Sequence, residues 1–206
     1  MYKVALDLHD FSLSYPRIGL LLKLKQHFPN FKVSLFTIPI EAKMDYGPFL
    51  LRNAALREIK RHLEWMEIIP HGFYHDGSEV MDWNYTNTKA IYLPQIMKSF
   101  NDYGLPFELG FCPPHWRWNE GVALALDDEG WWGAIDRDKT MPVTKRFYRY
   151  NYLLNEPFWE SKEAVLKLHG HVYGTKNDLG LCFENLLKLP KDTQWVFATE
   201  LLEERS

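Results

Sequence analysis

Tyr2-Lys3-Val4-Ala5-Leu6-Asp7-Leu8-His9-Asp10 opens the chain with an apolar run that ends in polar, chemically capable side chains. Val4, Ala5, Leu6 and Leu8 suit a buried strand, and residues 2–8 are predicted as one. The same arrangement recurs along the chain. His71 and His75 follow a predicted strand at 66–70, and Cys112-Pro113-Pro114-His115-Trp116 follows one at 107–111. Asp136-Arg137-Asp138 follows 131–135, and His169-Gly170-His171 follows 164–168. Six of the eight histidines stand in these strand-end clusters, which is the pattern of one shared rim.

Between the strands lie amphipathic stretches. Residues 18–27 carry apolar side chains at helical spacing, with Ser12 or Ser14 as cap and Pro16 in the first turn. A second strand is predicted at 32–38 and a second helix at 52–65, where Leu51, Ala55, Leu56, Ile59 and Leu63 share a side. Residues 88–103 read as a helix kinked or started by Pro94, and 119–129 as one opened by Asn119 and closed by Gly130. Residues 146–154 are ambiguous. Residues 182–189 read as a helix, 193–197 as a last strand and 198–204 as a terminal helix. Strands alternating with helices imply a parallel sheet with right-handed crossovers, either open and doubly wound or closed as a barrel. Both place chemistry at the C-terminal ends of the strands.

The 206 residues suit one domain, and 46% hydrophobic with 25% charged residues is globular composition. Lys and Arg number 24 against 27 Asp and Glu, with no basic block, so no nucleic-acid partner is indicated. No apolar run approaches the ~20 residues of a membrane helix. Cys112 and Cys182 form neither a disulfide framework nor a zinc knuckle, and no secretory pattern precedes Val4, so the expected setting is cytoplasmic. Aromatics are 16%, with eight tryptophans, and Trp116, Trp118, Trp131 and Trp132 are candidates for a wall that stacks on sugar rings.

His71-Gly72-Phe73-Tyr74-His75 places two histidines four apart, which on a helical turn would face one ion together. Asp10 is the candidate third ligand. Two imidazoles and one carboxylate with open positions describe a catalytic site for zinc or another divalent first-row metal.

Leu8-His9-Asp10, His71-Gly-Phe-Tyr-His75, Phe111-Cys-Pro-Pro-His-Trp116 and Leu168-His169, in that order, resemble the polysaccharide deacetylases with the NodB-like domain, especially their divergent cytoplasmic branch. The resemblance runs over roughly residues 2 to 200. It implies a distorted (β/α)7 barrel and hydrolysis of an acyl group, N-acetyl first, from a sugar or related amine. It matches Asp10, His71 and His75 to the metal ligands, with one divalent ion, zinc first, as cofactor. His169 matches the acid, with His171 a second candidate. The family's catalytic aspartate is replaced by His9, which leaves His9 or Asp7 as base. Cys112 stands in place of the family's arginine, and the His115 amide is the expected oxyanion donor. Asp136 or Asp138 loosely match the family's fourth motif. The expected partner is a small-molecule or oligosaccharide substrate.

Two rivals remain beside this reading. One is a catalytically impaired domain of the same fold that binds glycan or metal. The other is a barrel-type metal-dependent phosphoesterase or amidohydrolase, whose paired histidines would require a histidine where Phe11 stands.

Overall fold

The structure is a computed structural model that describes residues 2–12, 17–39, 56–75 and 77–205. Ser14, Pro16 and positions 51–55 of the second expected helix lie outside these residues. Strand β1 (Lys3–Ser12) is the centre of the fold. Along one edge it pairs in parallel with β8 (Val165–His171), from Lys3↔Val165 to His9↔His171. Its other edge holds β9 (Gln194–Val196) beside Lys3 to Ala5, then β2 (Val33–Ile38) beside Asp7 to Ser12. Outward from these lie β3 (Met66–Pro70) on β2 and β7 (Tyr152–Leu153) on β8.

A second sheet contains β4 (Gly110–Phe111), β5 (Trp132–Ile135), β6 (Arg146–Arg149) and β10 (Glu203–Glu204), in the order β10-β6-β5-β4. The sheets join at two seams. At one, His71 bridges Cys112; the Cys112 N–H donates to the Pro70 carbonyl and the Gly72 N–H to the Cys112 carbonyl, each at 3.1 Å. At the other, β6 runs on through Tyr150 and Asn151 into β7. The ring of parallel strands is the expected distorted (β/α)7 barrel.

The two sides of the strands pack differently. Val4, Leu6 and Leu8 of β1 join the larger core under the helices. Ala5 faces inward with Phe36, Ile69, Cys112, Trp132, Tyr148 and Val196, so the lower barrel is filled, as barrels of this size are. Helix α1 (Ile18–His27) turns Ile18, Leu21 and Leu24 onto this larger core. Its N-cap position is Arg17, with no side-chain cap, and Ser12 is the last residue of β1.

Helix α2 (Leu93–Asp102) is preceded by a π-helical turn at Thr88–Tyr92. Pro94 lacks an N–H and crowds the carbonyl four residues back, so a local change of register beside it is expected. Asn119 caps α3 (Glu120–Asp128), its side chain accepting from the Val122 N–H. Asp178 accepts from the Gly180 and Leu181 N–H groups, which starts α4 (Leu179–Leu186) earlier than the apolar spacing predicts. Among the described residues of the second expected helix, only 56–60 are α-helical and 61–65 are turn.

The terminal helix expected at 198–204 is a 3-10 turn at Ala198–Leu201 followed by β10, antiparallel to β6. Buried Glu67 anchors the start of this turn. Its Oε2 accepts from the Thr199 hydroxyl at 2.7 Å, while Ser34 Oγ accepts from the Ala198 N–H at 2.8 Å. The following backbone then pairs with the edge of β6. Among the described residues, no helix is long and apolar enough to cross a membrane.

Gly110 makes room for Trp132 inside the barrel, since a Cβ there would lie 2.3 Å from the indole. Gly110→Ala is expected to lower stability by about 1–3 kcal/mol, the usual cost of overpacking, read from the midpoint of urea unfolding. An unchanged midpoint would show that Trp132 repacks freely.

Candidate active site

Adjacent residues on a strand face opposite ways, yet His9 and Asp10 both reach the pocket. The pairing of β1 with β2 is irregular between Leu8 and Phe11, and Asp10 adopts a left-handed φ of 58°. Burial records the consequence. Leu6 and Leu8 belong to the outer core, and so does Phe11, so one extra residue has been inserted between them. Aspartate tolerates this conformation better than most residues. Phe11 is therefore fully buried in that core, which removes the paired histidine that the phosphoesterase rival needs.

Asp10 meets two imidazoles. Its Oδ1 lies 3.3 Å from His71 Nε2 and 2.9 Å from His75 Nε2. His71 Nδ1 is 3.0 Å from the Cys112 carbonyl, which can accept only from a protonated Nδ1; in the neutral ring this leaves Nε2 a lone pair. With a lone pair on His71 Nε2, its approach to the carboxylate oxygen needs a second proton on that ring or a metal ion between the two. The three side chains fit a divalent ion, with a backbone carbonyl orienting one ligand from behind.

Burial raises the Asp10 carboxyl, but the imidazoles of His71 and His75 overcome it and hold its pKa far below the ordinary range. Burial lowers His71 despite Asp10. At His75 burial is outweighed by Asp10 and Glu79, and its pKa is raised. His171 completes the rim, its Nε2 3.9 Å from Asp10 Oδ2 and its Nδ1 3.1 Å from Asn177 Oδ1. Burial and His169 push His171 down to about 4.

The loop from His71 to His75 is not the helical turn expected from the spacing. Gly72 and His75 are both left-handed, with φ of 63° and 59°. The Glu79 carboxylate holds the loop by accepting from the Phe73 and Tyr74 N–H groups at 2.5 and 2.8 Å.

Below the rim lies a buried polar layer of Asp7, His9 and His169, which meets the pocket at His9. The register of β1 on β8 sets it, because Asp7 lies opposite His169 and His9 opposite His171. His169 Nδ1 donates to Asp7 Oδ1 at 2.6 Å. His9 Nε2 is 3.3 Å from the same oxygen but off the hydrogen-bond line, so His9 Nε2 and Asp7 Oδ2 are both buried without a hydrogen bond. His9 Nδ1 is 3.7 Å from Cys112 Sγ, and the His9 ring stacks on Phe36 with centroids 4.4 Å apart. Burial, then His169, His71 and His171, push the His9 pKa well down. Burial, then Asp7 and Asp10, push the Cys112 thiol up, so it stays protonated.

The pocket above has a volume of about 330 Å³, and His115 and Trp116 form part of its wall. Both have positive φ, 54° and 59°. The Trp116 and Arg117 N–H groups donate to the Pro113 and Pro114 carbonyls, while the His115 N–H has no partner among the described residues. Of the four tryptophans expected to form a wall, only Trp116 lines the pocket. Trp118, Trp131 and Trp132 are buried in the core because their flanking strand and loops turn them inward. Asp136 and Asp138 stay outside the pocket: Asp136 Oδ1 accepts from the Asp138 N–H, and Asp138 pairs with Arg137.

No protein-family model matches the sequence, and no curated protein matches it. Solved structures do. The chitin deacetylase from the fungal pathogen Colletotrichum lindemuthianum aligns with TM-score 0.65 at 12% identity, over 98% of this chain and 88% of that one. A family 4 carbohydrate esterase from Streptomyces lividans in complex with acetate aligns with TM-score 0.58 at 11% identity, over 91% and 87%. The fold is that of the family 4 carbohydrate esterases. A CE4 family pseudoenzyme from Bacillus anthracis shares it too, with TM-score 0.60 at 13% identity, over 97% of this chain and 64% of that one.

Within this esterase fold, the sequence reading missed Glu79, Asn177, Arg117 and Lys139. Glu79 stands four residues after His75 and Asn177 six after His171, a local spacing that marks them as anchors. Arg117 and Lys139 carry no such signal. Gly72 bears the tightest constraint, since a Cβ there would lie 2.2 Å from Glu79 Oε1 and 2.5 Å from Pro114 Cγ. Gly130, also left-handed, has open space around it. Gly72→Ala is therefore expected to destabilise by about 1–3 kcal/mol more than Gly130→Ala in urea unfolding. Equal losses would show that the loop yields.

Proposed function

We propose that this chain is a metal-dependent hydrolase that removes an acyl group, N-acetyl first, from a sugar or a related amine. The observation that carries the reading is the convergence of His71 Nε2 and His75 Nε2 on Asp10 Oδ1, within 3.3 Å, on the pocket wall. These three residues would hold one divalent ion, zinc first, given two imidazoles and a carboxylate. Bound there, the ion supplies Lewis acidity to the acyl carbonyl and acidifies water.

The chain's own residues do the rest. Trp116 offers an aromatic face to a sugar ring. The free His115 N–H donates to the oxyanion that develops on the acyl carbon. His9 serves as base at Nδ1, which lies 3.7 Å from the Cys112 thiol, with the Asp7 carboxylate 3.3 Å from its Nε2. His169 is oriented through Nδ1 by Asp7, and from Nε2 it gives a proton to the leaving amine. A cytoplasmic setting accords with two buried free thiols, Cys112 and Cys182.

A second reading, a domain that binds without turnover, is favoured by one observation. His9 is buried and stacked on Phe36 where an aspartate would be expected. The Bacillus anthracis neighbour is a pseudoenzyme of this fold.

Elemental analysis of the purified protein beside a His71→Ala, His75→Ala double variant tests the ligand set. About one zinc per chain, lost in the variant, is expected. Acetate release from N-acetylated sugars is expected to disappear with chelator and return with zinc. Absence of metal from both proteins after zinc is added would overturn the reading. Metal without acetate release would select the binding domain.

A further inference from the structure

We propose that the substrate carries an anionic group, a carboxylate or a phosphate, beside the acylated amine, and that Arg117 and Lys139 receive it. The proposal rests on the hydrolase reading above and names its substrate class. Both residues line the pocket together with His115 and Trp116. Arg117 is exposed, and its guanidinium makes no hydrogen bond or ion pair among the described residues. Lys139 is half exposed and lies over the same wall, its Nζ donating to the His115 carbonyl at 3.2 Å. Its nearest carboxylate oxygen, Asp136 Oδ2, is 3.9 Å away on a buried side chain outside the pocket.

Contrast gives these two cations their meaning. Neighbouring Arg137 is consumed by Glu156, at 2.8 and 2.5 Å, and by Asp138. Among the described residues, the one carboxylate lining the pocket, Asp10, is committed to His71 and His75. The described residues of the pocket wall thus carry Arg117 and Lys139 as charges left for a ligand, on a chain whose net charge is −3. Lys139 ties its loop to the His115 carbonyl, yet neither it nor Arg117 joins two elements of the fold by an ion pair, and both leave donors at the pocket for a ligand. A neutral sugar ring would meet Trp116 and leave both donors on water. An anionic sugar would exchange that water for charge-assisted hydrogen bonds.

Calorimetric titration of the full chain, loaded with zinc, tests this with three probes: N-acetylglucosamine, its 6-phosphate and N-acetylmuramic acid. At least one anionic sugar is expected to bind about tenfold tighter than the neutral one, the usual worth of a hydrogen bond to a charged group. Which of the two does so separates phosphate from carboxylate. In an Arg117→Gln, Lys139→Gln variant the ratio of anionic to neutral affinity is expected to fall to about one. Equal binding of all three probes, or no binding of any, would overturn the proposal. So would a preference that survives in the double variant, which would place the anion on the zinc. Binding is read without turnover, so the two readings fail separately. An anion preference in a chain that releases no acetate removes the hydrolase and keeps the anion site. Acetate release without that preference does the reverse.

Discussion

Strand β1 meets a demand at its C-terminal end that a regular strand cannot satisfy. His9 and Asp10 are adjacent in sequence, and both must face the same pocket. The extra residue between Leu8 and Phe11 and the left-handed backbone of Asp10 resolve this. Such a backbone costs about 1–2 kcal/mol. The contacts of Asp10 with His71 and His75 offset it, as does the return of Phe11 to the outer core. Every other part of the site takes its place from this strand. β8 lies along one edge and delivers His169 and His171 opposite Asp7 and His9; β2 lies along the other and sets β3, from which His71 leaves.

Two layers of polarity follow from that geometry. The upper one, Asp10 with His71, His75 and His171, opens to the pocket. The lower one, Asp7 with His9 and His169, is packed against Phe36, Trp116 and Tyr150 and meets the pocket at His9. Burial and neighbouring charge together set the direction of the titrations. A buried imidazole crowded by other imidazoles resists a proton, as His9 does, whereas His75 beside Asp10 and Glu79 favours one. The two unsatisfied atoms of the lower layer, on Asp7 and His9, are of the kind found where chemistry takes precedence over hydrogen bonding.

Much of this was legible in the residues, for a physical reason. Parallel strands expose chemistry at their C-terminal ends, so a histidine directly after an apolar run points to a rim, and His9, His71, His75, His115 and His171 all line the pocket. Asp7 and His9, two apart, were readable as sharing a face. What pairs with them was not, because the alignment of β1 with β8 joins residues 162 apart in sequence. The His71–His75 turn was misread as helical because spacing reports reach, not conformation; Gly72 was the visible sign of a left-handed bend. Tryptophan count could not separate Trp116 from Trp118, Trp131 and Trp132, since wall and core use the same ring. At the C-terminus, apolar spacing suggested a helix, and the free edge of β6, which pairs with Glu203 and Glu204, lay too far away in sequence to be read.

The seam between the two sheets has a consequence for how this site can vary. His71 is oriented by the carbonyl of Cys112, and the same peptide group closes the barrel between β3 and β4. Every amino acid carries that carbonyl. The hydrogen bond that orients the ligand therefore does not itself use the side chain at position 112, which packs into the inner core instead. Where a site is written in backbone atoms, its sequence can drift while its shape persists. That is how 11–13% identity and a shared barrel can coexist.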